Sequence, residues 1–154
     1  MSDDLIETAR RLCASRSKRP RQSDLKRAIS TAYNALFHAV AQTNADRLIG
    51  VGANRADKAW RHTYRAMNHG EAKKACAQLQ GLGFPADLVQ VGLAFRSLQE
   101  DRHSADYDPF HRVSLQDARS AIREAETGIA KLRAASKKDQ TAFAVQLLLK
   151  ARTS

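Results

Sequence analysis

Ser23-Asp24-Leu25-Lys26-Arg27-Ala28-Ile29-Ser30-Thr31-Ala32-Tyr33-Asn34-Ala35-Leu36-Phe37-His38-Ala39-Val40 is the stretch that decides the fold. Leu25, Ala28, Ile29, Ala32, Tyr33, Leu36, Phe37 and Val40 recur every three or four residues, so one face of a helix stays apolar for about four turns. Upstream, Leu5, Ile6, Ala9, Leu12 and Cys13 repeat in the same way and predict a first helix that fades by Ser17. The joint Arg16-Ser17-Lys18-Arg19-Pro20-Arg21 breaks that pattern, and Ser23 stands where an N-cap would open the next helix.

Downstream, the glycines of Ile49-Gly50-Val51-Gly52-Ala53 read as a loop. Ala56, Ala59, Trp60, Thr63, Tyr64 and Met67 then form a third stripe, and residues 72–79 a short fourth. Gly81-Leu82-Gly83 is another break, after which Pro85 suits the first turn of a long helix turning Leu88, Val91, Phe95 and Leu98 inward. Asp108-Pro109 ends or kinks that helix. Ser114 and Asp117 have capping-box spacing before Leu115, Ala118, Ile122, Ala125, Ile129 and Leu132. A last short helix is expected between Thr141 and Arg152, capping the core or reaching a partner.

The expected fold is therefore all-α: an antiparallel up-and-down four-helix bundle with extra short helices, spanning 1–137, followed by a short C-terminal helix in 138–154. Its expected core is Leu25, Ile29, Tyr33, Phe37, Val91, Phe95, Leu98, Ile122 and Ile129. The 154 residues suffice for one domain with a proper core. Hydrophobic residues at 43% exclude a disordered chain, and only 7 glycines and 3 prolines argue against a turn-rich β fold.

A formal charge of +10 and a pI near 10.1 attract polyanions, nucleic acid first and an anionic membrane second. No apolar run approaches the roughly 20 residues of a spanning helix, and Met1-Ser2-Asp3-Asp4 is acidic rather than signal-like, so a cytoplasmic protein without membrane partner is expected. Cys13 and Cys76, each alone on a helical pattern, read as buried free thiols rather than a disulfide or zinc site. Walker, Rossmann, paired-histidine and nucleophile-elbow motifs are absent, so neither cofactor nor metal is expected and kinase, dehydrogenase and metallohydrolase readings have no support.

Two segments carry a resemblance. Ala28-Ile29-Ser30-Thr31-Ala32-Tyr33-Asn34-Ala35-Leu36-Phe37-His38-Ala39 resembles the early core helix of the HEPN family, with Thr31 in place of a basic residue and Asn34 in place of a second tyrosine. Arg102-His103-Ser104-Ala105-Asp106-Tyr107-Asp108-Pro109 is similar to the end of the third core helix in the HEPN branch encoded beside minimal nucleotidyltransferases. Together with helix order, the likeness extends over most of residues 4–135. It implies a four-helix bundle that often forms a homodimer, with arginines of both copies in one cleft. It also implies an RNA- or nucleotide-directed part of a prokaryotic toxin-antitoxin or defence module, with a nucleotidyltransferase as a possible partner. Many members are metal-independent endoribonucleases, and others only bind. The active ones place histidine four to six residues beyond the arginine, whereas here Tyr107 stands in that window and the next histidine is His111.

Metal-free RNA cleavage needs a base for the ribose hydroxyl, an acid for the leaving oxygen and a cation on the phosphoryl group. Arg102 suits the cation role, since a guanidinium forks onto two phosphate oxygens, or else it simply pairs with Asp106 four residues on. Tyr107 suits phosphate positioning or proton donation, or a packed helix end with its hydroxyl wet. His103 and His111 are the nearby groups that titrate in the right range, with surface and loop roles as their plain readings. Tyr33 and Phe37 read as core, and His38 as a partly buried, hydrogen-bonded imidazole. Trp60, Tyr64 and Met67 also read as core, yet Arg61, His62, Arg65 and His69 flank them and make stacking on single-stranded RNA conceivable.

Between Arg10 and Arg27 stand eight basic residues, Arg10, Arg11, Arg16, Lys18, Arg19, Arg21, Lys26 and Arg27, against one acid, Asp24. That density suits a phosphate backbone, and a solvated face is the plain alternative. Three functions remain: an RNA-directed HEPN-like module able to cleave, a non-catalytic RNA- or nucleotide-binding and dimerisation module, or a basic helical scaffold for an acidic protein partner.

Overall fold

The computed structural model describes residues 1–14 and 19–152, and the alanine-rich stretches become seven helices among them. They are α1 (Ser2–Cys13), α2 (Gln22–Leu48), α3 (Asp57–Arg65), α4 (His69–Cys76), α5 (Ala86–Tyr107), α6 (Leu115–Ala134) and α7 (Lys137–Leu148). The described residues contain no strand. Among the described residues no helix is long and apolar enough to cross a membrane.

α2 is the axis of this helical bundle. Over 27 residues it spans about 40 Å, and α1, α3, α5, α6 and α7 all pack against it. The periodicity predicts one buried stripe, but Ala35, Ala39, Ala41 and Ala45 are buried too. Alanine lets neighbouring backbones approach closely, so small side chains that look neutral in a hydropathy pattern become a second packing surface. Of the nine expected core residues, eight are buried and Phe37 is partly buried against the same cluster.

Element ends follow local chemistry. Ser114 and Asp117 form the full capping box of α6, with Asp117 N–H donating to Ser114 Oγ at 3.0 Å and Ser114 N–H to Asp117 Oδ2 at 2.9 Å. α2 does not start at Ser23 as a cap. Arg21 is the N-cap without a side-chain bond, and Gln22 instead clamps Val113, donating to its carbonyl at 2.6 Å and accepting from its N–H at 2.9 Å. α7 opens at Lys137, four residues before Thr141, because Ser136 Oγ accepts Asp139 N–H at 3.1 Å. The expected division at 137 and 138 falls inside this helix, which packs on α2 and α4 and buries Phe143, Ala144 and Leu147. α5 ends at Tyr107, and Cys13 and Cys76 are buried free thiols. Burial pushes the Cys76 thiol up to about 12.

Candidate functional site

Where α2, α4 and α5 meet, the side chains of Tyr33, His69 and Arg102 converge. Tyr33 lies on the buried face of α2 and is fully enclosed. Asn68 fixes the start of α4, its Oδ1 accepting from Gly70 N–H at 3.0 Å and Glu71 N–H at 3.1 Å. His69, the first residue of that helix, thereby reaches α2, and the Tyr33 hydroxyl lies 2.6 Å from its Nδ1. From α5 the Arg102 guanidinium stands over the Tyr33 ring, 5.6 Å from its centroid.

The protons in this pair can be assigned. Burial pushes the Tyr33 phenol well above its usual range, with Arg102 opposing only in part. Burial also pushes His69 below the usual imidazole value, and the Arg102 and His38 charges push it further. A buried neutral phenol facing a neutral imidazole donates its O–H to Nδ1. His69 then carries its own proton on Nε2, as a donor.

Arg102 is anchored rather than free. Its Nε lies 3.2 Å from Asp106 Oδ2, four residues on, with the two side chains 26% and 32% exposed. Asp106 Oδ1 in turn accepts a hydrogen bond from Ser30 Oγ of α2. Nε is engaged, and the planar end of the guanidinium is held against Tyr33.

A row of rings leads away from this corner. Phe37 stacks on His69 with centroids 4.2 Å apart, and His38 meets Phe37 edge-on at 5.8 Å. His38 Nδ1 lies 2.6 Å from the Tyr64 hydroxyl. Burial, then the N-terminal ammonium, push His38 below its usual value. Tyr64 continues to Trp60 at 5.2 Å, and Arg55 covers Trp60 at 4.0 Å. Phe37, His38, Tyr64, Trp60 and His69 are all half-buried. Exposed Arg61 and Arg65 border a groove of about 460 Å³ with Trp60, Tyr64, Gln42 and Met1.

The other sequence candidates are dispersed. Tyr107 is 64% exposed at the end of α5 and packs on the exposed His103 ring at 4.9 Å. His111 interacts electrostatically with Asp101 and Asp117. Lys26 stands nearer the corner, donating to the Asp108 carbonyl at 3.3 Å. Arg10 is held by Glu126 at 2.6 Å and Arg11 by Glu7 at 3.5 Å. Arg21 is exposed at the start of α2, Arg19 is exposed and engaged, and Arg16 and Lys18 lie outside the described residues.

Chemically, the corner offers one fixed cation and one imidazole N–H beside half-buried aromatic rings. That suits a phosphate with an unstacked base next to it. No group of three or more histidines, cysteines or carboxylates suited to holding a metal occurs among the described residues. Comparison of the chain with known protein families, with curated proteins and with solved structures finds no match.

Proposed function

We propose that this chain is an RNA-directed module that binds single-stranded RNA across the face formed by Arg102, His69 and the ring row from Phe37 to Trp60. One observation carries the reading: a guanidinium and an imidazole flank one buried phenol at the head of a half-buried aromatic row edged by Arg61 and Arg65. Arg102 and His69 take the phosphate, the rings take bases, and the flanking arginines follow the backbone. Base stacking contributes about 1–3 kcal/mol per base, enough for micromolar binding over a few nucleotides once phosphate contacts are added.

The HEPN resemblance of residues 28–39 and 102–109 supports the same reading, and both segments contribute to this corner. The finer arrangement, an antiparallel up-and-down four-helix bundle of the HEPN kind, belongs to the proposal. α1, α2, α5 and α6 are its four members, with α2 and α6 each packing on the other three. So do the homodimer, the nucleotidyltransferase partner and a place in a toxin-antitoxin or defence pair.

Within a single copy the corner binds the phosphate without cutting it, because His69 Nδ1 is occupied by the Tyr33 hydroxyl and Nε2 donates. Metal-free cleavage is the second reading, favoured by the imidazole that the fold brings to the corner of Tyr33 and Arg102, where the chain itself offers none in the window four to six residues beyond Arg102. Incubating labelled single-stranded RNA with the protein and a chelator separates them. Retention of intact RNA supports the binding module, whereas product that disappears in His69→Ala supports cleavage. No retention and no product would leave the basic scaffold for an acidic protein partner.

A further inference from the structure

Further along α2, toward its C-terminal end, lies a second basic concavity of about 400 Å³. Gln42, Thr43 and Arg47 of α2, Arg133 of α6, and Lys137 and Gln140 of α7 line it. The joint between α6 and α7 builds it. Ala135 and Ser136 are both extended, and Arg133 and Lys137 on either side of them both line the concavity.

Its charge is unbalanced. Arg133 Nη1 pairs with the exposed Asp3 at 3.1 Å, but Arg47 and Lys137 pair with no carboxylate among the described residues. The acid in the wall is Asp46, whose Oδ1 already accepts the Trp60 indole N–H at 2.9 Å. Three cations with amide and hydroxyl donors between them suit an oxyanion, and neither a cation nor an apolar ligand. The concavity also adjoins the aromatic row. Gln42 lines both it and the groove at Trp60, Arg61, Tyr64 and Arg65, and Asp46 links its wall to Trp60 itself.

We infer that Arg47, Arg133 and Lys137 form a second phosphate subsite, which holds the backbone of an RNA strand after it leaves the stacking surface at Trp60. This inference rests on the RNA reading above and extends it by one element of chain path. A strand long enough to reach both ends of α2 gains phosphate contacts here, and a short one held at the Arg102 corner does not.

The test compares single-stranded RNAs of about 4 and about 12 nucleotides, lengths that bracket short and long binding sites. The protein is wild type or Arg47→Gln/Lys137→Gln, chosen because neither residue has an acidic partner to orphan. Unchanged thermal midpoints verify the fold of the double variant. The expected result is about a tenfold loss of affinity for the long RNA and a salt slope flattened by about 1.4, the value for two single-strand phosphate contacts. Affinity for the short RNA should be unchanged. Equal affinities of both proteins for the long RNA would overturn the subsite and leave the RNA reading standing. An equal loss on both lengths would also overturn it, as a general field effect. Failure of wild type to bind either RNA would overturn the RNA reading and the subsite together.

Discussion

Burial keeps both Tyr33 and His69 neutral, and the consequences are measurable. The buried hydroxyl donates to Nδ1 at 2.6 Å and so favours the neutral imidazole. Tyr33→Phe removes that donor, and the His69 midpoint should rise in an NMR titration while staying below the ordinary imidazole range, because burial and the Arg102 and His38 charges persist. Stability should fall by about 0.5–1.5 kcal/mol, the net value of one hydrogen bond, in urea unfolding. An unmoved midpoint would refute the proton assignment. The sign of the pH dependence follows from the same geometry. His69 and His38 both have lowered values in the folded protein. The unfolded chain therefore takes up protons first, and stability is full above about 6.5 and is lost as pH falls below it. RNA affinity should move the opposite way, rising on acidification because a bound phosphate favours the imidazolium. The sequence pointed to Arg102, to the buried Tyr33 and to a hydrogen-bonded His38. It did not point to His69 as the partner of Tyr33, because 36 residues separate the two and no local spacing encodes the contact. Of the histidines near Arg102 in the chain, His103 packs on Tyr107 and His111 interacts with Asp101 and Asp117.

Helices α4 and α5 approach so closely that one glycine decides the fit. A Cβ at Gly92 would lie 2.6 Å from Leu79 Cδ1 and 3.3 Å from the Cys76 carbonyl. Leu79 is fully buried and the carbonyl is backbone, so neither can retreat freely. Gly92→Ala should destabilise by about 1–3 kcal/mol despite alanine's better helix propensity, as overpacking does. Since α4 carries His69, the same substitution should also weaken RNA binding. A stabilised variant would show that the two helices can part without cost. The sequence marks helices by hydrophobic stripes, and those were legible for α2, α5 and α6. It does not mark close approach, which depends on glycine and alanine, nor the start of α7, where Ser136-Lys137-Lys138-Asp139 reads as a charged end while acting as a cap.

For the whole molecule, charge and fold together set the chemistry. A net +10 guarantees some attraction to any polyanion, so affinity alone distinguishes little. Dependence on one residue distinguishes more. Arg102 sits at the corner where α2, α4 and α5 meet, and its pair with Asp106 is partly exposed, so losing it should cost little stability. The composition and total charge pointed to a polyanion, but they could not place it. The densest basic run, Arg10 to Arg27, proves partly neutralised by Glu7 and Glu126, while the aromatic row with its arginines is assembled only by packing. The most direct measurement is fluorescence anisotropy of labelled single-stranded RNA against wild type and Arg102→Ala, with chelator present and thermal midpoints recorded alongside. The account predicts at least about a tenfold weaker affinity for the variant, as expected for a lost charge-assisted contact, with a midpoint shifted by no more than about 4 °C. Equal affinity of the two proteins at equal stability would contradict it.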